Sequence, residues 1–219
     1  ARNNLINAVE MAVSGIPEVG LFFGNRLYRG NRTTKVSTWK FDAFNSPNYA
    51  PLAEVGVDIT INRKLAGVTK EFKPFFTLDP AVFVIKCFPG LNGDILAPLF
   101  KKDVKAFIIE AYGAGTITMG DTSLFDFVEK AVEKKKIVAV NSQCVHGSVF
   151  LNVYNSSKEL KRLGALSSMD MTIEASLMKM MYLLAKYPGD MQEVKRLFEV
   201  NIAGELSEEE SQSFEEAEL

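Results

Sequence analysis

The chain has 219 residues, of which 47% are hydrophobic and 24% are charged, and its formal net charge is −2. This composition is typical of a globular protein, while the lack of a basic surplus argues against a nucleic-acid partner and the lack of an apolar run of about 18 residues argues against a membrane-spanning helix. Two cysteines, Cys87 and Cys144, and an opening segment without signal-peptide character favour free thiols in a reducing compartment, so we expect a cytoplasmic protein.

The first third of the chain predicts one helix and one hairpin. Residues 4–13 have apolar positions at helical spacing. Residues 19–23 and 26–29 read as strands joined by a two-residue glycine–asparagine turn, which hairpins prefer. We expect residues 36–62 to be mostly irregular, ending in a β-like run at 57–61.

The remainder predicts alternating strands and helices. Three short, strongly apolar runs indicate strands buried on both faces, and the segments between and after them have helical periodicity. Alternation of this kind predicts right-handed crossovers and a parallel sheet. The predicted strands are 81–88, 106–111 and 137–141, and the predicted helices are 93–102, 123–135, 156–162, 173–186 and 191–200.

These patterns predict a domain organisation. Residues 80–206 contain enough β/α units to form their own core, and the charged, proline-containing segment 63–79 fits a linker. Residues 1–62 are too few to form an independent core. We therefore expect them to be the C-terminal portion of a larger N-terminal domain. The segment 207–219 is rich in glutamate and poor in apolar residues, which predicts an unfolded tail or a linker to a further module.

The most informative local feature is Lys35, which follows Thr33 and Thr34 just after the predicted hairpin. A proline-fixed turn at Pro47 comes soon after it. A lysine held among hydroxyls and amides can act in proton transfer, because its pKa shifts readily in dry surroundings. The alternative is a solvated basic loop, which composition alone favours because several other basic side chains lie nearby.

Other chemical signatures are weak. The loops 112–116 and 141–144 follow predicted parallel strands, at the sheet end where such folds bind ligands, although plain turns explain both loops equally well. The glycine pair in the first loop is not followed by a helix at the spacing of a dinucleotide site. His146 is the only histidine, so we expect no metal site, and no nucleophilic triad or phosphate-binding loop is present.

A series of motifs, in order up to about Leu206, carries a family resemblance. They are Asn-Leu at 4–5, Phe-Phe at 22–23, Arg-Gly-Asn-Arg-Thr-Thr-Lys at 29–35, Phe-Asp-Ala-Phe at 41–44, Ser-Pro-Asn-Tyr-Ala-Pro-Leu-Ala at 46–53, Phe-Pro-Gly at 88–90, Tyr-Gly-Ala-Gly at 112–115, Ser-Gln-Cys at 142–144, Asp-Met-Thr at 170–172 and Gly-Glu-Leu at 204–206. Together they resemble type I, cytosolic L-asparaginases.

The resemblance implies an α/β fold with a smaller, flavodoxin-like C-terminal domain of parallel strands, preceded by the last portion of a larger N-terminal α/β domain. It implies homodimers or homotetramers that hydrolyse L-asparagine to L-aspartate and ammonia without a cofactor. It makes Lys35 a catalytic residue that assists proton transfer. The family's nucleophilic threonine and its Thr-Asp pair would lie upstream of Ala1, so we expect this chain alone to be inactive.

The resemblance also suggests binding residues. Thr116 and Tyr154 match regions that contact substrate in a neighbouring subunit. Thr34 and Cys144 match an effector-asparagine site of some bacterial members, in which an arginine replaces Glu110. A carboxylate at that position would repel the effector, so we expect allosteric control to be weakened or lost.

Two other interpretations stay open. One is the D subunit of the tRNA-dependent glutamyl amidotransferase, a relative in the same superfamily. The other is a non-catalytic interaction or regulatory module of the same fold.

Overall fold

The computed structural model describes residues 2–68, 71, 73–118 and 123–208. They fall into two compact units, residues 1–75 and 76–219, each described by itself below. None of the helices in these described ranges has the length and apolar character that crossing a membrane requires.

The first unit contains a helix, a four-stranded antiparallel sheet and a separate pair of short strands. The sheet order is β1-β2-β5-β6, and β3 pairs with β4 in antiparallel orientation. The elements are α1 (Arg2–Ala12), β1 (Gly20–Phe23), β2 (Arg26–Arg29), β3 (Thr34–Lys35), β4 (Phe44–Asn45), β5 (Ala53–Val55) and β6 (Ile59–Ile61).

The predicted helix and hairpin of this unit are confirmed. Gly24 and Asn25 both have positive φ, 57° and 64°, as the tight two-residue turn between twisted strands requires. The prediction of a mostly irregular 36–62 is wrong in part. Strand β5 forms there because Arg26 and Leu27 of the hairpin pair with Glu54 and Ala53. A three-residue strand defined by a distant partner leaves no periodicity in the sequence.

The core of the first unit is small. Met11, Leu27, Leu52 and Ala53 are its buried apolar residues. On α1, Leu5 and Val9 lie one turn apart and are exposed, with relative exposures of 69% and 58%, and Val13 just after the helix is 80% exposed. The helix therefore contributes little burial to the unit.

The second unit is an α/β domain around a four-stranded parallel sheet, which confirms the predicted fold class. Its strands lie in sequential order, β7-β8-β9-β10. The elements are β7 (Val82–Lys86), a 3-10 helix (Gly93–Lys101), β8 (Ala106–Ala111), α2 (Ser123–Glu133), β9 (Ile137–Ser142), α3 (Asn155–Arg162), β10 (Leu166–Ser167), α4 (Ile173–Lys186) and α5 (Met191–Phe198).

Alternate residues of the central strands supply the two cores of this unit. Phe107 and Ile109 point to the face covered by α2, whereas Ala106 and Ile108 point to the face covered by α4 and α5. Because successive strand residues point to opposite faces, a continuous apolar run is the signature of a strand covered on both sides. The aromatic rings of Phe100, Phe107 and Phe127 pack with centroids 4.9–6.2 Å apart.

The segment after α5 is fastened to α4 by buried polar contacts. Lys179 Nζ lies 2.5 Å from Glu205 Oε1 and donates to the Val200 carbonyl oxygen at 2.6 Å; both charged side chains are less than 5% exposed. Ser207 donates from its amide and its hydroxyl to the two carboxylate oxygens of Asp170, at 2.8 and 2.6 Å. Residues 200–207 therefore form an ordered strap across the second unit.

Candidate active site

Lys35 lies at the end of the two-residue strand β3. Thr34 faces Asn45 and Lys35 faces Phe44 across the β3–β4 pair. The Lys35 side chain is exposed, and its Nζ lies 5.3 Å from the centroid of the Phe44 ring. Thr34 is half-buried. The predicted catalytic lysine thus projects from a short ribbon.

A tight 3-10 turn connects the hairpin to β3. The turn spans Gly30–Arg32, and the Thr33 hydroxyl donates to the Arg29 carbonyl oxygen at 2.7 Å. The Gly30 amide donates to the Val19 carbonyl oxygen at 2.9 Å, and a Cβ at Gly30 would lie only 2.9 Å from that oxygen. Glycine is therefore required here, because a side chain would push the turn away from β1.

Beneath this turn, a network of charged and aromatic side chains fixes the base of the ribbon. Arg29 forms a two-pronged ion pair with Glu18, with Nε–Oε2 at 2.5 Å and Nη2–Oε1 at 2.7 Å. The guanidinium carbons of Arg29 and Arg32 lie 4.3 and 5.0 Å from the Tyr49 ring centroid. Arg29 Nη2 and the Tyr49 hydroxyl both donate to the Leu65 carbonyl oxygen at 2.8 Å.

The electrostatics of this network keep its charges ionised. Burial alone raises the pKa of Glu18, but hydrogen bonds from Arg29 and the Gly67 amide, with the positive charge of Arg29, lower it overall. The Glu18 hydrogen bond is the main reason that the pKa of Arg29 is raised. Arg32 is only 2% exposed. The solvated-loop interpretation is therefore wrong for Arg29 and Arg32.

Sequence reasoning missed Glu18 and the role of Tyr49. Glu18 precedes β1, and the antiparallel register that places Gly20 opposite Arg29 brings its carboxylate to that arginine. In the sequence, Tyr49 stands out only as part of a turn motif. Neither contact has a local signal, because each depends on how the hairpin and the turn fold back on one another.

The predicted binding residues of the second unit lie in loops at the carboxyl ends of its strands. Thr116 pairs with Tyr112 in an isolated bridge, and its hydroxyl donates to the Tyr112 carbonyl oxygen at 3.2 Å. Tyr154 is 53% exposed and immediately precedes α3. The roles inferred for both residues remain predictions.

The three residues of the predicted effector site are divided between the units. Thr34 belongs to the first unit, whereas Glu110 and Cys144 belong to the second. In the second unit, Gln143 Nε2 donates to the carbonyl oxygens of Cys87 and Glu110 at 2.6 and 2.9 Å. Cys144, the residue after Gln143, is exposed. The effector site stays a prediction.

Within the described residues, no group of three or more His, Cys, Asp or Glu side chains is arranged to hold a metal ion.

Comparison with protein families assigns both units. Residues 1–67 match the model described as "Asparaginase, N-terminal", and residues 81–198 match the "Glutaminase/Asparaginase C-terminal domain". The chain belongs to the glutaminase/asparaginase family. The resemblance to type I L-asparaginases is thereby confirmed.

Individual relatives agree with this assignment. The chain is 37% identical to L-asparaginase 1 of Escherichia coli (strain K12) over 209 residues, which cover 93% of this chain and 61% of the relative. It is 33% identical to an L-asparaginase of Dirofilaria immitis over 222 residues, covering 100% of this chain and 38% of the relative. The chain thus spans less than two thirds of the length of these two asparaginases.

Solved structures share the fold. The thermostable L-asparaginase from Thermococcus kodakarensis superposes with a TM-score of 0.85 at 30% identity, covering 94% of this chain and 62% of that one. L-asparaginase I from Vibrio cholerae gives 0.82 at 33% identity, covering 94% and 63%.

Proposed function

We propose that this chain is part of a cytoplasmic amidohydrolase and carries its catalytic lysine, Lys35. The complete enzyme converts L-asparagine and water to L-aspartate and ammonia. The nucleophile is a threonine hydroxyl from a segment upstream of Ala1. Lys35 pairs with the aspartate of the upstream Thr-Asp pair and assists proton removal from the threonine of that pair. The complete enzyme assembles as a homodimer or homotetramer, in which Thr116 and Tyr154 contact the active site of a neighbouring subunit.

The observation that carries this proposal is the way the chain presents Lys35. The buried Glu18–Arg29 pair and the stacked Tyr49 ring fix the turn before β3, while the Lys35 ammonium itself is left outside this network. Because no described residue forms an ion pair with Lys35, its ammonium can pair with a carboxylate from the upstream segment. The similarity to L-asparaginases supports asparagine as the substrate.

The proposed role follows from the weakness of a threonine hydroxyl as a nucleophile. A threonine hydroxyl must lose its proton as it attacks the side-chain amide carbon, and a positioned amine near a carboxylate can relay that proton to the departing nitrogen. Loss of ammonia leaves a threonyl ester, which water hydrolyses to aspartate and the free hydroxyl. Lysine serves as the base in other Ser/Thr-dependent hydrolases.

Ammonia release tests the proposal. We expect the full-length protein to release ammonia from L-asparagine and the chain 1–219 alone to release none above background. The same assay with L-glutamine measures substrate preference. Turnover by the isolated chain would contradict an upstream nucleophile.

A second candidate comes from another group of relatives. The chain is 31% identical over 222 residues to the D subunit of the glutamyl-tRNA(Gln) amidotransferase of Methanobrevibacter smithii, and the match covers 96% of this chain and 50% of that protein. If the full-length protein released ammonia from glutamine only with its partner subunit and glutamyl-tRNA, this second function would replace asparaginase. Failure to hydrolyse any amide in either assay would favour the non-catalytic module.

A further inference from the structure

The contact between Lys35 and Phe44 is a cross-strand pair on one face of the β3–β4 ribbon. The two residues lie directly opposite each other in the antiparallel register. The Nζ-to-centroid distance of 5.3 Å is within the range at which an ammonium is attracted to the face of an aromatic ring. Among the described residues, the Lys35 ammonium makes no hydrogen bond and no ion pair.

A second aromatic ring holds Phe44 in place. Phe23, the last residue of β1, packs against it edge-to-face, with centroids 5.2 Å apart and ring planes at 64°. Edge-to-face packing is a favoured geometry because the electropositive ring edge meets the electronegative face of its neighbour. The orientation of the Phe44 ring is therefore fixed by a residue of the β1–β2 hairpin as well as by the short β3–β4 pair.

We infer that Phe44, supported by Phe23, is a positioning residue that orients the Lys35 amine for proton transfer. This inference rests on the proposed function of Lys35. A lysine side chain has four rotatable bonds, and ordering it before the reaction removes an entropic cost from the catalytic step.

Substitutions at Phe44 in the full-length protein test the inference. Phe44→Leu keeps an apolar side chain but removes the ring face, and we expect kcat for L-asparagine to fall at least fivefold with KM changed less than twofold. Phe44→Tyr keeps the ring, and we expect kcat within twofold of wild type. Phe41→Leu is the matched control, because Phe41 is an aromatic residue three positions before Phe44, in the loop that leads into β4, and is 96% exposed.

A second substitution covers the outcome in which Phe44→Leu does not fold. Phe23→Leu removes only the edge contact, and we expect a two- to threefold decrease in kcat with KM unchanged. Wild-type kcat in a folded Phe44→Leu variant would overturn the inference, and where Phe44→Leu does not fold, wild-type kcat in Phe23→Leu would overturn it. So would an equal loss in Phe44→Tyr, because the ring face would then not be the relevant feature.

Lys35→Ala, measured in the same series, separates this inference from the proposed function. Near-normal turnover by Lys35→Ala would remove the lysine from the mechanism and, with it, the role of Phe44. An inactive Lys35→Ala beside a fully active Phe44→Leu would leave the proposed function standing and overturn the positioning role alone.

Discussion

At the scale of single residues, two ion pairs on the same strand contrast sharply. Arg29 pairs with Glu18 where both side chains are about one-tenth exposed, whereas Arg26 pairs with Glu54 where both are about half exposed. Removing one partner of a buried pair leaves an uncompensated charge, whereas exposed pairs contribute little to stability. The strand therefore carries one structural pair and one pair on the surface.

We expect Glu18→Gln to lower the free energy of unfolding by about 3 kcal/mol at neutral pH, whereas Glu54→Gln changes it by less than about 1 kcal/mol. The pKa of Glu18 is below its ordinary value of 4.5, so its contribution is present above that pH and is lost as the pH falls through the lowered folded-state value. Urea titrations at pH 7 and pH 3 measure both effects. Equal losses in the two variants at pH 7 would contradict this distinction.

The two cysteines also differ in burial, and we expect them to differ in reactivity. Burial, and to a lesser extent the negative charge of Glu110, raises the pKa of the Cys87 thiol to about 11, and its side chain is enclosed in the core of the second unit. Cys144 is exposed. Because the thiolate is the reactive form, we expect iodoacetamide at pH 8 to modify Cys144 and leave Cys87 intact until the protein unfolds. Mass spectrometry of digested peptides gives the result, and modification of Cys87 at a comparable rate would show that its core opens readily.

At the scale of elements, the sequence predicts best where a segment is long or apolar throughout. Strand β8 and helix α4 match the predicted bounds, 106–111 and 173–186, because burial on both faces and regular apolar spacing are local signals. Strands β5 and β10 were missed, since they have three and two residues and are defined by partners far away in the chain. The segment 93–101 is a 3-10 helix that contains Pro98, which cannot donate an α-helical hydrogen bond.

The candidate site shows the same difference between local sequence signals and contacts made by distant residues. The motif around Lys35 could be recognised from the sequence, because its residues are consecutive. Its support could not, since Glu18, Tyr49 and the Leu65 carbonyl meet the motif only after the chain folds. The ring of Phe44 was likewise invisible until the register of β3 and β4 placed it opposite Lys35.

The buried ion pair between Lys179 of α4 and Glu205 of the strap gives a prediction about the stability of the second unit. Lys179→Met leaves the buried Glu205 carboxylate without its cation, and we expect the second unit to lose about 3–5 kcal/mol of unfolding free energy. The double variant Lys179→Met/Glu205→Met should regain a large part of that loss, because two apolar side chains replace the pair. Guanidinium unfolding followed by circular dichroism measures it.

Arg196→Met on α5 is the control for this experiment, since the Arg196–Glu193 pair is largely exposed. We expect it to cost less than about 1 kcal/mol. A loss in Lys179→Met no larger than in this control would show that the strap does not depend on the buried pair.

At the scale of the whole molecule, the two units differ in the size of their apolar cores. The second unit packs a parallel sheet between two apolar cores, whereas the apolar core cluster of the first contains four buried residues and its helix has an exposed apolar face. The first unit nevertheless carries the lysine to which we assign the chemistry. The well-packed unit and the unit that carries the proposed catalytic lysine are thus different parts of the chain.

The central claim is that the Lys35 amine takes part in asparagine hydrolysis, and ammonia release by the full-length Lys35→Ala variant tests it most directly. Lys40→Ala is the matched control, since Lys40 is another exposed lysine in the loop between β3 and β4. We predict that Lys35→Ala loses at least 100-fold in kcat, in keeping with the usual contribution of roughly 10²–10⁴ from a general base. Lys40→Ala should keep wild-type turnover. Near-normal hydrolysis by a folded Lys35→Ala protein would contradict the account.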